Sequence, residues 1–268
     1  MILYKGYRVI SGNTDQINSE MSNLDFSELY TNEYLVINNT DDGSSKEMRF
    51  NGKNFVSLKL PPSRYIKGKN SLQRCALDML NNPDITVCAI LGSYGSGKSY
   101  LAMQMALYAV QEKGWQSYIL GVREPVGEGR ELGYLSGDFE DKNKVWTMPL
   151  VQQLDGKEWE VERLKQQGIL DFNIPMYMKG TSYSNTVMVI DEAEDLTERQ
   201  IRMIGTRVAE GSRIIFDGDY RQSSAKVDGA PLLKMCEVFK GNPLFGCITL
   251  EEDVRSDTSK MFANLFQD

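Results

Sequence analysis

Four residues at fixed spacing, Gly92, Gly97, Lys98 and Ser99, match the pattern G-x-x-x-x-G-K-[ST]. Glycines in such a turn let backbone N–H groups curl into a nest that binds an anion. The lysine ammonium can then reach the β- and γ-phosphates of a nucleotide, and the serine hydroxyl can bind Mg²⁺. The pattern therefore predicts an ATP-binding loop. The other residues that we expect to line this loop are Ser93, Tyr94, Gly95, Ser96 and Tyr100.

The elements around the loop decide whether the glycines form a phosphate site or an ordinary turn. Residues 85–91 are apolar enough for a buried strand, and residues 100–110 repeat apolar side chains at helical spacing. A helix in that place would add its positive N-terminal end to the anion site. A chance glycine turn before a helix is the alternative, but the order strand, turn and helix favours nucleotide binding.

A second group of residues suited to phosphate chemistry is acidic. Residues 187–192 read V-M-V-I-D-E, an apolar strand that ends in Asp191 and Glu192. Because the carboxyl ends of parallel strands meet at one edge of a sheet, Asp191 is predicted to bind Mg²⁺ together with Ser99. The chain has no histidine, so a general base must be a carboxylate, and Glu192 is predicted to activate the attacking water.

For other polar residues near these motifs, the sequence indicates a functional role less clearly. The run 213–219 is predicted to be a strand, and Gln222 just beyond it could hold the γ-phosphate or its water. A polar turn is the alternative for this glutamine. Glu194 and Asp195 are interpreted as a solvated approach to the next helix.

An arginine is expected to neutralise the charge that remains on the γ-phosphate. Arg255, which follows the last apolar strand, is assigned to the chain's own site, and Arg207 to the site of a neighbouring subunit. Such an arginine is worth about 10³–10⁵ in rate. A surface salt bridge is the alternative for both residues. The assignment of Arg207 implies a homo-oligomer in the form of a ring.

The composition indicates the class of protein. With 268 residues, of which 41% are hydrophobic and 25% charged, we expect one large globular domain with at most a small appendage. No apolar run is long enough to span a bilayer and the start lacks a signal peptide, so we expect a cytoplasmic protein without a membrane partner. Four scattered cysteines without a C-x-x-C pattern argue against a disulfide framework or a zinc site.

The net charge of −7 argues weakly against tight, passive binding of nucleic acid. A local basic groove is still compatible with that charge. Solvated surface charges are the alternative for each basic residue taken singly. The candidates for the groove are residues 64–74, Lys179, Arg213, Arg221 and Lys226.

The chain divides into three segments. Residues 1–60 alternate short strand-like runs with polar turns and predict a small β-rich appendage, and residues 61–70 are interpreted as a linker. In residues 71–268 strands and helices alternate, which predicts an α/β domain with a mostly parallel sheet covered by helices on both faces. One helix of this segment is predicted to begin with a capping box formed by Thr197 and Gln200.

Taken together, the motifs resemble the PhoH-like P-loop ATPases, relatives of the superfamily-one helicases, over about residues 70–265. The resemblance implies a RecA-like P-loop NTPase fold, ATP and Mg²⁺ as cofactors, and RNA or single-stranded DNA as a partner. It also implies that Gln73 reads the adenine base. The segments that carry it are NSLQRCALDML, GEGRELGYLSGD, IPMYMKGTSYSNTVMVIDEAEDLT, TRVAEGSRIIFDGDYRQ and DVRSDTSKMFANL.

The sequence also departs from the family pattern. Ser136 replaces a proline, a glutamate separates Arg123 from the following proline, Lys179 replaces an arginine, and Glu194 replaces a glutamine. The strand-like runs of the first segment resemble the β segment that follows a PIN nuclease in one branch of the family. A nuclease domain does not fit in the roughly 30 residues before those runs, so the resemblance does not imply nuclease activity.

We therefore expect a helicase-like ATP hydrolase coupled to nucleic acid. The motifs support the hydrolase, and the resemblance alone supplies the polymer. The alternative is an ATP-dependent regulatory or assembly protein without a polymer substrate, which the acidic charge favours slightly. A small-molecule kinase is disfavoured because Glu192 is placed to activate water.

Overall fold

The computed structural model describes residues 3–93, 95–123, 158–219 and 230–252, together with Val254 and Met261. The strands are β1 (Tyr7–Gly12), β2 (Tyr34–Asn39), β3 (Ser45–Phe50), β4 (Phe55–Ser57), β5 (Val87–Gly92), β6 (Tyr118–Arg123), β7 (Leu170–Asn173), β8 (Thr186–Asp191), β9 (Arg213–Gly218) and β10 (Phe245–Leu250). The helices are α1 (Thr14–Ser22), α2 (Ser71–Leu80), α3 (Lys98–Gln111), α4 (Glu158–Gln166), α5 (Glu198–Gly205) and α6 (Ala230–Phe239). Short 3₁₀ turns lie at Phe26–Glu28, Pro175–Met178 and Ala193–Asp195.

In the part of the chain that the structure describes, the larger sheet has six strands in the order β10-β5-β9-β8-β6-β7. Every pair in it is parallel, which confirms the predicted parallel sheet. Alternate residues of β5 face opposite sides: Cys88 and Ile90 pack in one core with α2 and α3, and Ala89 and Leu91 pack in the other with α6. Both faces are therefore covered by helices, which is why the strands read as continuous apolar runs.

Most strand and helix positions of this sheet follow the sequence pattern. The sequence predicts a helix at residues 71–80 and strands at 186–191 and 245–250, and α2, β8 and β10 occupy these residues. Helix α5 begins with the predicted capping box, in which Thr197 and Gln200 bond reciprocally. The strand β7 was not predicted. It has four residues, two of them polar, and among the described residues it pairs only with β6 at the edge of the sheet. The sequence also predicts a final helix from about residue 257, which lies outside the described residues apart from Met261.

The smaller sheet has the order β1-β2-β3-β4. Strands β2 to β4 overlap the strand-like runs predicted at residues 34–37, 48–50 and 55–60, whereas β1 and α1 were not predicted. Because β1 and β2 are parallel, the chain needs the crossover that α1 provides. Its start has a sequence signal, a capping box between Asn13 and Gln16. The predicted β-rich appendage is therefore a β-α-β unit followed by two antiparallel strands.

The smaller sheet is anchored to the larger one by buried polar contacts. Asp78 on α2 accepts hydrogen bonds from Tyr34 Oη at 2.8 Å, Arg49 Nε at 3.0 Å and the Lys59 backbone N–H at 2.6 Å. The chain just before β1 also contacts the larger sheet: a Cβ on Gly6 would lie 1.7 Å from the Cys247 carbonyl oxygen of β10, so only glycine fits there. The first segment thus packs against the helix that precedes β5. The division at residues 60 and 70 remains a prediction.

None of the helices in the described ranges is long and apolar enough to cross a membrane.

Candidate active site

The predicted phosphate loop joins β5 to α3, as the motif requires. Gly95 and Gly97 have φ values of 83° and 90°, which L-residues with side chains rarely adopt. Gly92 is required by space, because a Cβ there would lie 2.2 Å from the Leu250 carbonyl oxygen of β10. The backbone of this loop therefore depends on its glycines. Tyr94 lies outside the described residues, and Tyr100 is exposed on the first turn of α3.

Two side chains brace the loop. Lys98 is 9% exposed, and its Nζ donates hydrogen bonds to the carbonyl oxygens of Gly92 at 2.9 Å and Ser93 at 3.1 Å. Gln73 on α2 is buried, and its Nε2 donates to the Ser96 carbonyl oxygen at 2.9 Å. Gln73 therefore links α2 to the loop, and its contact with adenine remains a prediction.

The hydroxyl of Ser99 joins the loop to two acids. Ser99 Oγ lies 3.1 Å from Asp191 Oδ1 and 3.1 Å from Asp217 Oδ1. The structure therefore brings together the predicted pair Ser99 and Asp191. Asp217 was not predicted as a site residue. Its only sequence signal is an acid that follows the apolar run Ile214–Phe216 within β9.

The two acids next to Ser99 do not each receive a hydrogen bond from its hydroxyl. A serine hydroxyl has one proton, so it can donate to only one of the two carboxylates at a time. Burial, followed by the nearby charge of Asp191, raises the pKa of Asp217 well above its usual range. Mg²⁺ is bound in proteins by one or two carboxylates together with substrate phosphate oxygens. The oxygens of Ser99, Asp191 and Asp217 beside a phosphate loop fit that ion.

Arg123, the last residue of β6, contacts both acids that end β8. Its guanidinium donates to Asp191 Oδ2 at 2.9 Å and to Glu192 Oε1 at 3.4 Å. The parallel register places Arg123 opposite Asp191, so the two strand ends meet at one edge. Glu192 has the left-handed backbone angles φ 51° and ψ 48°, which are uncommon for a residue with a side chain. Such backbone strain occurs often at functional sites.

The prediction that Glu194 is solvated was wrong. Its side chain is buried, 2% exposed, and a Cβ on Gly218 would lie 2.6 Å from its Oε2. Burial, followed by a hydrogen bond with Glu192 and the charge of Glu192, raises the pKa of Glu194 to about 8. The raised pKa favours the protonated form of Glu194, in which its carboxyl can donate to the predicted base Glu192. The prediction failed because the 3₁₀ turn Ala193–Asp195 packs against the end of β9.

The remaining predicted site residues are Arg207, Gln222 and Arg255. Arg207 follows α5 and is half-buried, and its carbonyl oxygen accepts a hydrogen bond from the Tyr183 N–H at 2.9 Å. Gln222 and Arg255 lie outside the described residues. Val254, which precedes Arg255, donates its N–H to the Gly95 carbonyl oxygen at 3.1 Å. The chain that leads to Arg255 therefore touches the phosphate loop, whereas the catalytic roles of these arginines remain predictions.

Arg213, one candidate for a basic groove, has a structural role instead. It is 3% exposed, and its guanidinium donates to the carbonyl oxygens of Leu80 and Ile85, each at 2.7 Å. These carbonyls lie at and just beyond the C-terminal end of α2, where a positive charge is favourable. Arg213 is thus not available to a polymer. Arg221 and Lys226 lie outside the described residues.

Comparison with known proteins identifies relatives over most of the chain. The model of the family described as PhoH-like protein matches residues 65–267. Protein PhoH2 of Bacillus subtilis (strain 168) is 30% identical over 250 residues, which cover 88% of this chain and 57% of that protein. Protein PhoH2 of Thermobispora bispora is 31% identical over 211 residues, which cover 76% of this chain and 48% of that protein. The chain thus spans about half the length of these relatives.

Among solved structures, the arterivirus nonstructural protein 10 (helicase) aligns with 65% of this chain and 37% of that chain. The TM-score is 0.33 and the identity is 16%. Values this low support no conclusion about function.

Proposed function

This chain belongs to the PhoH-like protein family, and we propose that it is a Mg²⁺-dependent ATP hydrolase coupled to RNA or single-stranded DNA. One observation supports the hydrolase function: the Ser99 hydroxyl, which follows the phosphate loop, lies 3.1 Å from Asp191 at the end of β8. A loop that only joined a strand to a helix would have no need of an acid from a distant strand at that hydroxyl. A serine and an acid in this arrangement are what a Mg²⁺-nucleotide requires.

The described side chains have distinct roles in this proposal. The loop N–H groups and Lys98 hold the phosphates, with Lys98 exchanging its bonds to loop carbonyls for bonds to phosphate oxygens. Mg²⁺, when bound, neutralises negative charge on the phosphates. Glu192 accepts the proton of the attacking water, and the Arg123 guanidinium and the Glu194 carboxyl orient the Glu192 carboxylate.

Coupling to a polymer is supported by family membership and by the resemblance of the motifs to helicase relatives. The competing function is an ATP-dependent regulatory or assembly protein, which the net charge of −7 favours. The two differ in one observable property. A polymer that binds through phosphate contacts should stimulate turnover at low salt and lose its effect as salt rises.

The test is phosphate release from ATP and Mg²⁺, measured with and without single-stranded RNA or DNA at low and high salt. Lys98→Ala should abolish nucleotide binding or turnover, whereas the control Lys234→Ala, on the exposed face of α6, should retain both. If the wild-type protein releases no phosphate under any condition, the hydrolase is excluded. If it releases phosphate at a rate that neither polymer changes, the regulatory function is favoured.

A further inference from the structure

The strand β9 places an acid at the centre of the phosphate site. Asp217 is paired in register with Ile90 of β5, and the preceding Phe216 is paired with Ile190 of β8. Asp217 therefore lies between the strand that enters the phosphate loop and the strand that ends at Asp191. Its side chain is 1% exposed, so water does not solvate its carboxyl group.

The contacts of Asp217 provide little compensation for that burial. Its Oδ1 lies 3.1 Å from Ser99 Oγ, and within the part of the chain that the structure describes its Oδ2 has no hydrogen-bond partner. The positive charge that acts on Asp217 is that of Lys98, whose Nζ donates its hydrogen bonds to the carbonyl oxygens of Gly92 and Ser93 instead. A buried acid that is neither fully hydrogen-bonded nor ion-paired is costly, so its retention calls for a partner.

Two acids now share one hydroxyl. Ser99 Oγ is 3.1 Å from an oxygen of Asp191 and 3.1 Å from an oxygen of Asp217, and these oxygens come from two adjacent strands. A divalent cation at this point would receive oxygens from three protein residues. No three His, Cys, Asp or Glu side chains of the described ranges could hold a metal by themselves. The site therefore suits an ion that arrives with phosphate oxygens.

We propose that Asp217 supplies a second carboxylate to the divalent-cation site, beside Asp191 and the hydroxyl that both acids share. The inference rests on the proposed ATP hydrolase function and deepens it. The motif pattern alone assigns only Ser99 and Asp191 to the ion. Asp217 should therefore set the affinity for the cation without setting the affinity for the nucleotide itself, which the loop backbone and Lys98 determine.

The experiment measures metal binding and needs no turnover. Mn²⁺ is titrated into the protein with saturating ADP, and free Mn²⁺ is followed by electron paramagnetic resonance. ADP affinity in EDTA is measured separately by calorimetry. The variants are Asp217→Asn and Asp217→Ser, studied in parallel so that one folded variant suffices, with Ser99→Ala for comparison. The matched control is Asp84→Asn, an exposed acid just before β5.

Asp217→Asn should weaken Mn²⁺ binding by about 10- to 100-fold, a range typical of losses around metal sites. Its ADP affinity in EDTA should stay within about twofold of wild type, and Asp84→Asn should match wild type in both measurements. Because Ser99 and Asp217 act on one ion, the double variant should lose less than the sum of the single losses in free energy. Unchanged Mn²⁺ affinity in a folded Asp217 variant would overturn the inference alone. Failure of the wild-type protein to bind ADP would overturn the proposed function, and the inference with it.

Discussion

Replacing Glu194 with glutamine should stabilise the protein at neutral pH. The pKa of Glu194 is raised from 4.5 to about 8 in the folded protein, first by burial and then by Glu192. Between these values the folded state holds a proton that the unfolded state releases. The free energy of unfolding of the wild-type protein therefore decreases as pH rises from about 4.5 to about 8. A glutamine has no such titration, and its amide N–H can donate to Glu192 as the protonated acid does.

The magnitude follows from the separation of the two pKa values. Each pH unit between them costs about 1.4 kcal/mol. At pH 7 the pH is 2.5 units above the unfolded value of 4.5, so the variant should gain at most about 3.5 kcal/mol. Near pH 5 the gain should fall below about 1 kcal/mol. The difference between variant and wild type should thus grow with pH and become constant above about pH 8.

Urea unfolding followed by circular dichroism, in steps from pH 5 to about pH 8.5, measures this difference without nucleotide. Glu210→Gln is the matched control, since Glu210 is exposed and the same change there should stay within about 0.5 kcal/mol at every pH. A gain that does not depend on pH, or a variant less stable than wild type at pH 7, would refute the assignment of a protonated Glu194.

Three further predictions concern catalysis, subunit contacts and the anchoring of the smaller sheet. Glu192→Gln should bind ATP with wild-type affinity by calorimetry but hydrolyse it about 10²–10⁴-fold more slowly; wild-type turnover would place the base elsewhere. A mixture of Lys98→Ala and Arg207→Ala proteins, each inactive alone, should recover part of the ATPase rate if Arg207 acts on a neighbouring subunit; no recovery after subunit exchange proven by mass would exclude that role. Asp78→Asn should lower the free energy of unfolding by about 3–5 kcal/mol, because it leaves the Arg49 charge buried without its acid. The exposed control Glu198→Gln should cost at most about 1 kcal/mol.

Local physical signals explain what could be predicted. The loop from Gly92 to Ser99 is contiguous, and its nest depends on residues that can adopt positive φ. Strands β8 and β10 are buried on both faces, so continuous apolar runs mark them. The start of α5 depends on two residues three positions apart, Thr197 and Gln200. Each of these features is determined by neighbours in the chain.

The features that the sequence did not predict depend on residues that are far apart in the chain. β7 is a short edge strand with alternating polar residues, and its partner residues in β6 lie 51 positions earlier, so no local pattern separates it from a loop. Glu194 looks like a surface acid in the sequence, and only the packing of its turn against Gly218 buries it. Arg213 looks like a groove residue, and only its contact with Leu80, 133 positions earlier, explains it.

The sequence by itself determined where a phosphate loop, an acidic strand end and the covering helices would form, because hydrophobic period, glycine conformation and helix capping act over a few residues. Only the tertiary structure decided the order of the strands. In that order β9 lies between β5 and β8, which places Asp217 next to the hydroxyl of Ser99. Which parallel strands become neighbours depends on crossover connections that span many residues. The charge state of a buried acid then depends on the groups that these connections place around it.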